Sequence, residues 1–381
     1  MPSLQDIHPY FGLAEKIRWY SNGGPCWEQL SRRIEQFVGP GVHAVPVTNG
    51  TLGIMALLDQ VAHRPPLRTT TGLIGRAPNP AGASLVITPS YTFAAAASAI
   101  IWSGLTPLLV DVDPVTWQLA PEALALALDT HRGQVAAVLA TASFGCPPPP
   151  EVTNAWQYAC DRHLVPLVID AAAGFGARDS SGALIGGRGT AEVFSFHATK
   201  PFAVGEGGVI TTTDEELAAR LVQLINFGFD QQRQVAMPGG FNAKMDELHA
   251  AVGLAVMDGY PLVLSNRRAA AKIIVDAIRP LGYRFQPGCE GSTWQHVPAQ
   301  VPEGVERDRL MSDLLSAGVE ARAYFDVPLH AHQAYADLPR CGSLSITEHL
   351  AAGALSLPMA NDLSAREIER VVHAVQAATP R

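Results

Sequence analysis

The chain has 381 residues, enough for two domains or for one large domain with a smaller companion. Apolar residues make up 48% of it and charged residues only 16%, an apolar excess that a sizeable subunit interface would absorb. The net charge of -8 argues against nucleic acid or an anionic membrane as the main partner, so an anionic substrate would need a local basic site. The first eight residues carry neither a basic n-region nor an apolar h-region, and no secretion signal is expected. Residues 93–102, read as the longest low-polarity stretch, are too short for a bilayer. Five scattered cysteines without C-x-x-C spacing suit reduced thiols in a cytoplasm and give no support to a metal site.

In chain order, a turn-rich segment over residues 19–25 precedes a helical pattern over 27–38, where Leu30, Ile34, Phe37 and Val38 share one face. Residues 45–58 read as strand, tight turn and buried helix. Gly50 and Thr51 sit at the helix N-terminus, where free N–H groups and the dipole favour a phosphate and where a Thr also serves as an N-cap. Residues 63–82 form a long excursion rich in Pro, Gly and Thr; its arginines Arg64, Arg68 and Arg76 are read as solvated or as meeting a nucleotide diphosphate. A short strand over 85–88 stops at Pro89, and Ser90 to Phe93 open an Ala-rich helix. Strands over 106–113 and 136–141, separated by helical stretches, make the chain α/β with a largely parallel sheet.

Residues 164–170 are a continuous apolar strand ending in Asp170, a carboxylate that needs a cationic partner if buried. Residues 193–213 then run strand, Ser/His/Thr/Lys turn, Gly205-Glu206-Gly207-Gly208 and strand. This layout holds the Lys200 amine at a strand end, where desolvation would free it to attack a carbonyl. The glycine run precedes a strand and not a helix, so it is no nucleotide-phosphate loop. From about residue 261 the pattern is that of a smaller α+β domain, with helices over 267–281 and 365–378.

Ser195-Phe196-His197-Ala198-Thr199-Lys200 with Gly205-Glu206-Gly207-Gly208 resembles the Schiff-base segment of the DegT/DnrJ/EryC1/StrS family of sugar aminotransferases, which use pyridoxal 5'-phosphate (PLP). The resemblance covers nearly the whole chain. It implies a fold-type-I α/β transferase: a large domain over residues 1–260, with a mostly parallel mixed sheet between helices, and a smaller C-terminal α+β domain over 261–381. It implies that Lys200 carries PLP and later shuttles the proton, that Asp170 pairs with the pyridine nitrogen, and that Gly50, Thr51 and Ser195 cup the phosphate. Phe93 would stack on the ring.

Asn242 would reach the cofactor phosphate of a neighbouring subunit in an obligate homodimer, with a plain helix N-cap as its alternative. Tyr20, Tyr324 and His330 are the candidates for substrate contact, although an ordinary loop accounts for Tyr20 equally well. Two departures from the family pattern stand out: Ile169 replaces the usual Glu, and Ala173 stands where a Gln or His commonly sits over the cofactor. The implied reaction moves an amino group, with glutamate as donor, to a nucleotide-linked 4-keto-6-deoxyhexose. A keto-cyclitol acceptor and a non-catalytic PLP-binding regulatory protein remain alternatives. Family members that act as dehydratases lack the lysine.

Overall fold

The computed structural model describes residues 1–62 and 82–379; nearly all of the 63–82 excursion, including its three arginines, lies outside the described residues. Two helices, α1 (Leu4–Ile17) and α2 (Pro25–Val38), lead into β1 (His43–Val47) and α3 (Gly50–Ala62). Alternating elements follow: β2 (Leu85–Pro89), α4 (Ala94–Trp102), β3 (Thr106–Val110), α5 (Pro121–Thr130), β4 (Val135–Thr141), α6 (Pro150–His163) and β5 (Leu167–Asp170). Then come β6 (Ala191–Ser195), β7 (Gly208–Thr212), α7 (Glu215–Leu224) and α8 (Glu247–Ile278). The C-terminal part holds β8 (Val297–Gln300), α9 (Arg307–Ser316), α10 (Ser345–Gly353), β9 (Ala354–Leu357) and α11 (Ala365–Ala378).

Seven strands form one sheet in the order β1-β7-β6-β5-β4-β2-β3. The run from β6 to β3 is parallel, and β7 lies antiparallel between β6 and β1. The central strands β4 and β5 are buried along their whole length, as expected of parallel strands covered by helices on both faces. This is the α/β fold with a mostly parallel mixed sheet that the sequence leads one to expect. A second, two-stranded antiparallel sheet, β8 with β9, carries the small domain together with α9 and α11.

The expected division at residue 260 falls inside α8, a 32-residue helix with Pro261 in its interior. Its buried residues up to Leu264 belong to the large core, and those from Ala270 onward to the small one. The helix, not a linker, joins the two. By length and composition α8 could cross a membrane, which makes it longer and more apolar than sequence reading allowed; half of its apolar window is buried inside the fold, as in a core helix.

Candidate active site

The parallel strands deliver their C-terminal ends to one edge of the sheet. There Asp170 pairs in register with Val193, and Ser195 and Val47 both face Gly208. Crevices at this edge are where α/β sheets bind ligands. Past Val47 the chain turns into α3, whose cap is Asn49: its side-chain oxygen accepts the Leu52 N–H at 2.9 Å. The Gly50 and Thr51 N–H groups lie in the first turn, where the helix offers them no carbonyl. A Cβ at position 50 would sit 3.4 Å from the Ser195 Cβ, so glycine lets the helix N-terminus close onto that hydroxyl-bearing strand end. Backbone donors, helix dipole and hydroxyl converge there, a setting made for a phosphate.

Asp170 is only 6% exposed. Its carboxylate accepts one backbone N–H, from Ala172 at 3.1 Å, and among the described residues no cation comes within ion-pair distance. Burial pushes its pKa up to about 6, in spite of that bond and of the Lys200 charge nearby. Lys200 is half-buried in the turn between β6 and β7, held by its N–H to the His197 carbonyl at 2.8 Å and by the Ala198 N–H to Gly205, which takes a φ of 99°. Burial lowers the lysine pKa, and Asp170 opposes the shift. Its Nζ donates to Gln295 Oε1 at 3.0 Å.

The small domain supplies the facing wall. Thr293 Oγ1 donates to the Ala173 carbonyl at 2.5 Å, and Ser292 Oγ to the Gly145 carbonyl at 3.0 Å. Arg267 on α8 donates to the carbonyls of Trp294 and Gln295, each at 3.2 Å, and to Asn361 Oδ1 at 2.6 Å. His296 stacks on Tyr324 with centroids 4.6 Å apart; burial, then the charges of Lys200 and Arg267, lower its pKa to about 4. Tyr324 therefore stands one ring away from the lysine's surroundings. Phe93, the cap residue of α4, is 65% exposed, an aromatic face left open beyond the end of β2.

Tyr20, Asn242 and His330 make no hydrogen bond, ion pair or ring contact with Lys200 or Asp170 within this protomer. Tyr20 is half-exposed beside Phe11, on a loop whose Tyr20 carbonyl accepts the Glu247 N–H. Asn242 accepts from Lys244 Nζ at 2.7 Å, and the cap of α8 is Asp246, not Asn242. His330 is buried, with Nδ1 2.7 Å from Ser90 Oγ and Nε2 3.5 Å from Glu348. It joins the residues that follow β2 to the small domain.

Gln295 and His296 escaped sequence reading, because a Trp-Gln-His run before a short strand carries no signal of a lysine 95 positions away. Glu247 escaped it too: fully buried, it accepts the N–H groups of Gly24, Cys26 and Trp27 and so fixes the start of α2 and the Tyr20 loop. Among the described residues no group of three His, Cys, Asp or Glu side chains is placed to hold a metal ion.

The residues fit PLP. A protonated pyridine nitrogen is the cation that buried Asp170 lacks, the α3 N-terminus beside Ser195 suits the phosphate, and Lys200 offers a desolvated amine near Asp170. The family model of the DegT/DnrJ/EryC1/StrS aminotransferases matches residues 6–376. Protein Rv3402c of Mycobacterium tuberculosis is 31% identical over 394 aligned residues, which cover 100% of this chain and 91% of that protein. GDP-perosamine synthase of Caulobacter vibrioides is 30% identical, with 94% of this chain and 91% of that one covered. Among solved structures, DesI in the presence of its TDP-sugar product superposes with a TM-score of 0.84 at 34% identity, covering 100% of this chain and 91% of DesI.

Proposed function

The chain belongs to the DegT/DnrJ/EryC1/StrS aminotransferase family and is a PLP-dependent aminotransferase; from that premise we propose that it transfers the amino group of glutamate to a nucleotide-linked 4-keto-6-deoxyhexose. The observation that carries this reading is that the Lys200 amine, its pKa lowered by burial, and Asp170, a buried carboxylate with no cation within ion-pair distance among the described residues, meet at the sheet edge. The sugar acceptor is supported by relatives named for GDP-perosamine and for a TDP-sugar product.

When bound, PLP supplies the electron sink and carries the amino group between donor and acceptor. The protein does the rest. Asp170 would hold a positive charge at the ring nitrogen, and Gly50, Thr51 and Ser195 would anchor the phosphate. Phe93 would cover one face of the ring. Lys200 would hold the cofactor through its amine and, when that amine is free, would take up and return a proton as general base and acid.

The working unit is a homodimer in which Asn242 reaches the partner's cofactor phosphate. Exposed Leu248 at the start of α8, with Trp19, Tyr20, Phe227, Phe229 and Val235 on other segments, supports a second copy as the cover for this surface. The enzyme works in the cytoplasm.

The test is the visible absorption spectrum of the purified protein with PLP, recorded before and after glutamate and then with a panel of nucleotide-linked 4-keto sugars. The expected outcome is a cofactor band that glutamate removes and one sugar restores. Lys200→Ala should bring turnover down by about 10⁴-fold, and full turnover by that variant would sink the assignment. A band that glutamate leaves untouched would overturn the donor.

A further inference from the structure

Lys200 lies on the large domain, yet its amine finds its hydrogen-bond acceptor on the small one: Nζ to Gln295 Oε1 at 3.0 Å, across 95 residues of sequence. Gln295 is held from behind. Its own carbonyl and that of Trp294 accept from Arg267, itself 4% exposed and bonded to Asn361, while Thr293, two residues earlier, is tied to the Ala173 carbonyl. The backbone on both sides of the amide is thereby fixed, so the side chain's reach toward Lys200 does not depend on a loop that drifts. The position is 9% exposed, and a polar side chain so placed is retained only if it has work for its oxygen.

On the reading that Lys200 is the cofactor lysine, we propose that Gln295 is a positioning residue that receives the lysine amine whenever it is free of the cofactor, parking it beside Asp170 and setting how readily it gives up its proton. An amide oxygen accepts from an ammonium and from a neutral amine alike, so it holds the group through both protonation states without adding a second negative charge to Asp170. A carboxylate at 295 would lock the amine as an ammonium. An apolar residue would leave a buried amine with one acceptor fewer. Ala173 offers no side chain for the task, and the hydrogen bond from Thr293 to the Ala173 carbonyl brings the Gln295 segment to the same wall of the site.

The experiment exploits the chain having only four lysines, Lys16, Lys200, Lys244 and Lys272. The full-length apoprotein is reductively methylated with ¹³C-formaldehyde, the Lys200 resonance is assigned as the one missing from Lys200→Ala, and its shift is followed against pH in the unaltered chain, Gln295→Leu and Gln295→Glu. The Lys200 pKa should fall by about half a unit or more in Gln295→Leu and rise by about one unit or more in Gln295→Glu, with the other three lysines unmoved. In parallel, unmethylated Gln295→Glu should capture PLP about tenfold more slowly than the parent chain at pH 7, and raising the pH by about one unit should restore its rate.

Coincident Lys200 titrations in all three proteins overturn the proposal. So does slow capture by Gln295→Glu that higher pH fails to restore, since that is the mark of mere structural damage. If Gln295→Leu does not fold, Gln295→Glu, nearly the same in shape, decides alone. If the unaltered chain takes up PLP without Lys200, the reading beneath the proposal falls, and the lysine titration still reports whether Gln295 holds the amine.

Discussion

Two buried carboxylates stand on adjacent, paired strands of the sheet and are finished in opposite ways. Glu192 on β6 is fully buried and closed: Oε1 accepts the N–H groups of Gly186 and Arg188 and the Arg188 Nε, and Oε2 accepts Arg188 Nη2 at 2.9 Å. Asp170 on β5 has one N–H and no cation within ion-pair distance among the described residues. Equal burial therefore produces different chemistry. The carboxylate saturated by its own chain has nothing left to accept, whereas burial pushes the pKa of the open one from its ordinary 3.8 up to about 6. A buried charge left incomplete by the protein marks where something else completes it.

Glu192→Ala leaves the partly buried Arg188 guanidinium without its carboxylate and the Gly186 N–H without its acceptor, and should cost about 3 kcal/mol of stability, equally with and without PLP. Urea unfolding of both forms checks it, and a loss confined to the PLP-loaded form would contradict the structural role. Asp170→Asn should do the reverse, leaving the fold intact while lowering kcat by about 10²–10³-fold, as expected when one preorganised charge at a reacting centre is removed. Steady-state rates per folded molecule test this.

In the apoprotein the same substitution should stabilise. Asp170 binds its proton more tightly folded than unfolded, so its contribution is unfavourable above about pH 6 and vanishes below about pH 4. Asparagine should thus add on the order of 3 kcal/mol at pH 7 and nothing at pH 4, read from urea midpoints at the two values. The smallest effect is a change of slope. His296, with its pKa depressed to about 4, contributes stability that is present above about pH 6.5 and lost as pH falls through 4, against the gain from Asp170 over nearly the same range. His296→Phe should leave apoprotein stability rising toward acid between these limits, and an unchanged slope would show that His296 is not buried in its neutral form.

What sequence made legible were features whose meaning is local. A strand that ends in Asp170, a helix that begins at Gly50 and Thr51, and a lysine between two strands each announce themselves within a dozen residues, because strand termini and helix N-termini have their own chemistry. The small-domain wall has no such grammar. Gln295 matters through Lys200, Arg267 and Thr293, and each of those contacts depends on how two cores meet. His330 shows the same limit from the other side: its motif pointed to substrate, and the structure gives both ring nitrogens to Ser90 and Glu348. Residue 260 lies within a helix that serves two cores at once, which periodicity cannot show, since it reports a face and not what covers it.

That helix has a mechanical consequence. At 1.5 Å per residue, α8 is a rod about 48 Å long whose one end is cast into the large domain and the other into the small. A rod fixed at both ends transmits rotation and resists separation, so the small domain has no freedom to swing away on a flexible tether. Its weak point is Pro261, which has no N–H to give the carbonyl one turn earlier. Any opening of the wall that carries Gln295 must therefore be a flexure of this one shaft about its middle, small in angle and shared by every group that Arg267 holds.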